Sequence, residues 1–164
     1  DPTAIINCTG THPGTVLFDS QWRDSTLNII KENLIPALYL YETFLERFRN
    51  SQTRRYFIHV SSGALDFYDQ GEAGYCASKS ALEAIALSLQ NGESTTKVKH
   101  HALRVALTDT PLARRVCPTV KDWEERYTPR EIAHHLIDII ERPELYPRVI
   151  IPLLYKPVRS IDRV

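Results

Sequence analysis

The chain has 164 residues and a mass of 18.8 kDa, with 20 Lys+Arg against 20 Asp+Glu, 43% apolar and 24% charged residues. A chain of that length buries roughly 70% of its unfolded surface, enough for one domain with its own core, so intrinsic disorder is excluded. A formal charge of zero and basic doublets no longer than Arg54-Arg55 and Arg114-Arg115 offer no field for phosphate backbones, so nucleic acid is not an expected partner.

The longest apolar stretch, around Ala37-Leu38-Tyr39-Leu40-Tyr41, falls far short of the ~20 residues of a membrane span, and no membrane association is expected. The opening Asp1-Pro2-Thr3 carries neither the basic nor the apolar region of a signal peptide. Cys8, Cys76 and Cys117 are odd in number and widely spaced, without a Cys-x-x-Cys or zinc pattern, and fit a reducing cytoplasm.

In chain order, Ala4-Ile5-Ile6-Asn7-Cys8 reads as a short strand stopped by Thr9-Gly10, with a loop at Pro13-Gly14. From Asp24 to about Asn50, Leu27, Ile30, Leu34, Ala37/Leu38, Tyr41, Phe44/Leu45 and Phe48 form the stripe of a long helix, with a kink expected at Pro36. Tyr56 to Val60 is β-branched and aromatic and reads as a buried strand. A second helix spans about Gly74 to Gln90, its apolar face Ala77/Ala81, Leu82, Ile85 and Leu89, stopped by Asn91-Gly92. Lys97 to Val105 reads as a third strand. Thr128-Pro129-Arg130-Glu131 then opens a helix with a Thr cap, Pro in the first turn and a capping-box Glu, running to about Glu141. A last strand, Arg148 to Ile151, precedes a tail rich in Pro and Arg.

Strand and helix alternate over short connections, which predicts an α/β fold: a Rossmann-like, doubly wound parallel sheet of about four strands with flanking helices and right-handed crossovers. Ligands of such sheets bind at the carboxyl ends of the strands. Asn7-Cys8-Thr9-Gly10, Ser61-Ser62-Gly63 and Thr108-Asp109-Thr110 all fall there.

The sharpest local feature is Tyr75-Cys76-Ala77-Ser78-Lys79 at the start of a helix, where a spacing of four sets phenol and ammonium one turn apart on one face. A cation near a phenol favours phenolate, each pKa unit being worth about 1.4 kcal/mol, so Tyr75 is expected to exchange a proton near neutrality. Ser62, thirteen residues earlier at a strand end, is placed to hydrogen-bond the oxygen that Tyr75 protonates. Taken alone, Tyr-x-x-x-Lys also occurs on ordinary solvated helices.

The surroundings sharpen it. Ile6-Asn7-Cys8-Thr9-Gly10, Asn33 within Lys31-Glu32-Asn33-Leu34, Val60-Ser61-Ser62-Gly63-Ala64 with Tyr75-x-x-x-Lys79, and Leu103 to Leu112 ending in Asp109-Thr110-Pro111-Leu112 are four ordered segments at compatible distances. With them the chain resembles the short-chain dehydrogenase/reductase family, from its first residues almost to its last strand. The resemblance implies an oxidoreductase that interconverts a carbonyl and an alcohol by hydride transfer with NAD or NADP, acting on a small molecule and assembling as a homodimer or homotetramer. It implies Tyr75 as acid/base, Lys79 on the nicotinamide ribose, Ser62 on the substrate carbonyl and Asn33 behind a relay water. It further implies Thr110 at the cofactor's carboxamide or phosphate side, and Asn7 and Gly10 near the adenosine ribose or supporting the central strand.

Two departures stand out. Val105-Ala106 replaces the family's Pro-Gly beside the nicotinamide, and the glycine-rich Thr-Gly-x-x-x-Gly-x-Gly turn is absent, with no Gly-x-Gly in the 164 residues. Residues 1–164 are therefore expected to be the second half of such a domain, lacking a βαβαβ half on the order of 80 residues. That half is expected in a longer chain first, in another polypeptide second, and as a genuine loss third. The competing function is a non-catalytic nucleotide sensor or scaffold that keeps the fold as an interaction surface. No metal site is expected: His100-His101 and His134-His135 read as solvated or locally bonded surface residues, His59 as a packed, hydrogen-bonded core side chain and Cys76 as a small buried thiol. Trp123 and Tyr127 are read either as pocket lining or as plain packing.

Overall fold

The computed structural model describes residues 2–12, 14, 20–67, 71–92 and 97–153. Four strands, β1 (Ala4–Asn7), β2 (Arg55–Ser62), β3 (Val98–Val105) and β4 (Ile150–Leu153), form one sheet in chain order, every neighbouring pair parallel. The register places Asn7 beside His59 and Ser62 beside Val105. Between the strands run α1 (Trp22–Arg49), α2 (Ala73–Gly92), the short α3 (Pro111–Val116) and α4 (Pro129–Glu141). This is the expected parallel α/β sheet with flanking helices. Pro13, residues 93–96 and the tail rich in Pro and Arg lie outside the described residues. Among the described residues no helix is long and apolar enough to cross a membrane.

The two faces of β2 carry different helices. Phe57 packs with Tyr41 and Phe48 of α1, and Ile85 and Leu89 of α2 close that cluster. Tyr56 and Ile58 point the other way, into a cluster with Leu103, Ile151 and the α4 residues Ile132, Leu136 and Ile139. Alternation along a strand makes these opposite faces of the sheet. All three crossovers advance the strand order in the same direction, so the β3-to-β4 crossover, on the opposite face, has the opposite hand to the first two. The expectation of right-handed winding throughout therefore fails at β3–β4. A long connection containing α3 and a turn of 3₁₀ helix at Trp123–Glu125 intervenes there, and it frees this crossover from the short-link sterics behind the rule.

Local chemistry accounts for most element bounds. α1 continues unbroken through Pro36, which forgoes one backbone bond without ending the helix. Its buried positions are Ile29, Asn33, Ala37, Tyr41 and Phe48, whereas Leu27 and Leu38 are exposed, so the buried stripe is rotated from the expected one. α2 buries Lys79 and Glu83 beside Leu82, leaves Ala77 outside, and runs through Asn91 and Gly92. α4 opens with the full capping box: Thr128 accepts from the Glu131 amide, and the Glu131 carboxylate accepts from the Thr128 amide.

Candidate active site

A cavity of about 850 Å³ opens at the carboxyl ends of the strands. Cys8, Gly10 and His12 from the segment after β1, Ser62 from β2 and Tyr75 and Lys79 from α2 line one side. Val105, Thr108, Thr110 and the α4 residues Ile132 and Leu136 line the other. The volume is that of a small-molecule or cofactor site.

Ser62, Tyr75 and Lys79 converge here. Ser62 is extended at the strand end, where its Oγ accepts from the Ala64 amide at 3.2 Å and caps the turn Gly63–Asp66. Its hydroxyl also hydrogen-bonds the Tyr75 phenol, which favours the ionised form. Burial nevertheless dominates and raises the Tyr75 phenol above its ordinary value, with Glu72 and Cys76 adding to the rise. The expected lowering of the phenol by Lys79 is thus overturned. Lys79 Nζ stands 5.8 Å from the centre of the Tyr75 ring and points to backbone acceptors, Val60 O at 3.0 Å and Thr9 O at 3.4 Å. Burial pushes Lys79 itself down to about 8, with Cys8 pulling the other way. Two of its three N–H groups meet those carbonyls, leaving the third for an occupant of the cavity. Gly10 leaves the space: a Cβ there would stand 3.1 Å from Nζ.

Asn33 is fully buried behind Lys79. Its Oδ1 accepts from the Thr11 amide at 2.6 Å, and its Nδ2 donates to Thr11 O at 3.1 Å and Ser78 Oγ at 2.9 Å. Its side chain therefore pins the β1 loop to α1 and α2. Asn7, 2% exposed, spends its amide on the core: Oδ1 accepts from the Thr9 amide and hydroxyl, and Nδ2 donates to His59 Nδ1 at 3.1 Å. Thr110 lines the cavity, and its hydroxyl caps α3 by accepting from the Ala113 amide at 3.1 Å. Val105 and Ala106 form part of the wall, and the Ala106 amide donates to Leu153 O at 2.8 Å.

Several residues went unforeseen. Glu83, 5% exposed, accepts from Ser61 Oγ at 2.6 Å and from Arg104 through both carboxylate oxygens at 3.0 and 2.5 Å. Arg104 also donates to Asp66 at 2.6 Å, and its pKa is raised above the usual range chiefly by the bonds it donates to Glu83. This chain of bonds braces the strand end that carries Ser62. Its partners lie too far apart in sequence for spacing to reveal, and only a carboxylate beside Leu82 on an apolar helix face hinted at it. His12 and Glu72, both on the cavity wall, also went unnoticed.

His59 is the hydrogen-bonded core side chain expected of it, with Asn7 on Nδ1 and Tyr41 Oη at 2.7 Å on Nε2. His100 and His101 are not surface residues: they are 0% and 6% exposed, His100 stacking on Phe57 and His101 Nδ1 donating to Arg148 O at 3.0 Å. Both lie on β3 between the helix layers, where the strand leaves them no water. Cys76 is buried as expected, and no cluster of three metal-ligating side chains occurs among the described residues. Trp123 and Tyr127 are buried packing residues, Trp123 under the Arg114 guanidinium.

A family model described as short chain dehydrogenase matches residues 3–121, and the chain belongs to that family. A search of curated proteins finds no match to the sequence. Among solved structures, the chain is similar to 4-hydroxyisoleucine dehydrogenase complexed with NADH, at 16% identity and TM-score 0.75 over 93% of this chain and 66% of that one. It is similar to a short chain dehydrogenase from Salmonella enterica subsp. enterica serovar Typhi, at 16% identity and TM-score 0.77 over 94% of this chain and 63% of that one. It is also similar to 3-ketoacyl-(acyl-carrier-protein) reductase from Brucella melitensis complexed with NADH, at 15% identity and TM-score 0.75 over 97% of this chain and 67% of that one. The chain spans about two thirds of the length of these structures. At such identities they speak for the fold.

Proposed function

We propose that this member of the short chain dehydrogenase family supplies the catalytic half of an NAD(P)-dependent oxidoreductase that interconverts a carbonyl and an alcohol on a small molecule. The observation that carries the reading is the convergence of the Ser62 hydroxyl, the Tyr75 phenol and the Lys79 ammonium on one cavity at the strand ends. The nicotinamide end of a cofactor suits these residues, because Gly10 makes room for the Lys79 ammonium and the remaining N–H of that ammonium matches a ribose hydroxyl. Nothing in the 164 residues supplies a glycine-rich cradle for the diphosphate, which on this reading is held by protein outside them.

A bound nicotinamide would carry the hydride, and the chain's own groups manage the proton and the geometry. With substrate bound, Ser62 Oγ turns its one proton from the Tyr75 oxygen to the substrate oxygen and fixes its position. Tyr75 Oη gives that oxygen a proton in reduction and takes it back in oxidation. Lys79 holds positive charge near the developing phenolate. Asn33 acts through Lys79 and the β1 loop, as a positioning residue. The mainly apolar opposite wall, Val105, Leu107, Ile132 and Leu136, keeps water from the reacting oxygen. A reducing cytoplasm and self-association through the exposed Ile35, Leu38 and Tyr39 of α1 belong to the same proposal. Self-association is read from solution mass.

The test is NADH and NADPH fluorescence with the full-length native protein and its Tyr75→Phe variant. Binding retained with turnover reduced at least 10²-fold supports the enzyme. Turnover unchanged in Tyr75→Phe, or no binding by the intact protein, overturns it, the second outcome favouring a scaffold.

A further inference from the structure

Tyr75 is held by more than Ser62 and Lys79. His12, 7% exposed, lies against its ring with centroids 4.3 Å apart and planes at 51°. The His12 ring is itself fixed at both nitrogens. The Gly14 amide donates to Nδ1 at 3.1 Å, which places the ring proton on Nε2, and Nε2 donates to Glu72 Oε1 at 3.1 Å. Gly14 adopts φ +86°, a left-handed conformation that glycine takes without strain, so its amide can turn back onto His12. Glu72 stands three residues before Tyr75, at the entry to α2, and its side chain is 20% exposed. A bond across 60 residues thus ties the loop after β1 to the start of the helix that carries the phenol.

We infer that His12 and Glu72 are a positioning pair for Tyr75: the imidazole fixes the plane of the phenol ring, and the carboxylate anchors the imidazole while setting a negative charge beside the phenol. The inference rests on the proposed role of Tyr75. The groups facing Tyr75 are Ser62 from β2, His12 from the β1 loop, and Glu72, Cys76 and Lys79 from its own segment. Glu72 also acts on the Cys117 thiol from the segment after α3. Glu72 opposes phenolate and Ser62 favours it, so the pair and the serine pull in opposite directions.

The test uses the full-length native protein without ligand, its tyrosines labelled with ¹³C at Cζ and Tyr75 assigned by loss of its signal in Tyr75→Phe. Glu72→Gln, nearly isosteric, is expected to lower the titration midpoint of Tyr75. His12→Gln is expected to shift and broaden the Tyr75 signal and, in the active protein, to lower kcat at least tenfold with the cofactor KM unchanged. His12→Phe, which restores a ring, is expected to recover the sharp signal and most of kcat. A Tyr75 signal and midpoint unchanged in Glu72→Gln and His12→Gln overturns the inference. Because the titration needs no turnover, an active Tyr75→Phe would remove the proposed chemistry while the titration still decides on the pair.

Discussion

Lys79 carries an amine into a site where the residue is 5% exposed, and burial brings it to about 8 from an ordinary 10.5. Between those values the unfolded chain holds a proton that the fold does not, so stability rises with pH through that window, and the charged form costs the fold below it. A shift of that size corresponds to roughly 3 kcal/mol. Wild type is therefore expected to gain about 3 kcal/mol of stability on Lys79→Met between pH 7 and 11. Denaturant unfolding of both proteins across that range checks it, and a flat difference would contradict the burial cost. Asn33→Ala removes three hydrogen bonds from a fully buried site and leaves Thr11 without its side-chain partners. The expected loss is about 2–3 kcal/mol in urea unfolding, with faster hydrogen exchange at the Thr11 amide. Ser62, Tyr75 and Lys79 were legible because each sits at a fixed offset along one strand end or one helix turn. Their electrostatics were not, because the direction of Nζ depends on the Val60 and Thr9 carbonyls, which spacing does not reveal.

Helix ends were read well where a cap has a sequence signature. Thr128→Ala breaks the capping box and is expected to cost about 1 kcal/mol, seen as a fall in thermal midpoint. Thr110-Pro111 carries the same Thr-Pro signal and opens α3, whose six residues are too few to show an apolar period. Helix faces were read less well. Asn33 interrupts the apolar stripe of α1, and Ile35, Leu38 and Tyr39 are apolar yet exposed, so periodicity alone chose a rotated face. Gly74 marks the close approach of α2 to α1, where a Cβ would meet Thr26 Cα and O at 3.1 Å and Ile29 Cδ1 at 3.3 Å. Backbone cannot yield as a side-chain tip does, so Gly74→Ala is expected to destabilise by about 1–3 kcal/mol, measured in urea.

For the molecule as a whole, the parallel order followed from alternation of strands and helices, but the placement of α4 did not. The apolar residues of α4 would suit either face, and only the clusters around Ile58 and Phe57 tell them apart. The buried histidines weaken the fold toward acid. His59 is lowered from 6.5 to about 4, chiefly by burial, and His101 is lowered as well. Between pH 6.5 and 4 the unfolded chain takes up protons that the fold refuses, so stability falls as pH falls. Unfolding at pH 5 is expected to absorb close to one proton at His59 and a further share at His101. Calorimetry in buffers of different ionisation enthalpy measures that uptake.

The change of face after β3 also bears on how the cavity is covered. The segment from Ala106 to Tyr127 leaves one strand end, supplies Thr110, Leu112, Val116 and Cys117 to the wall, and is caught on the far side by α4. A strap buckled at both ends cannot swing out like a flap hinged at one. Ligand exchange beneath it would proceed by tilting of its middle, near α3, while the sheet and α4 stay seated.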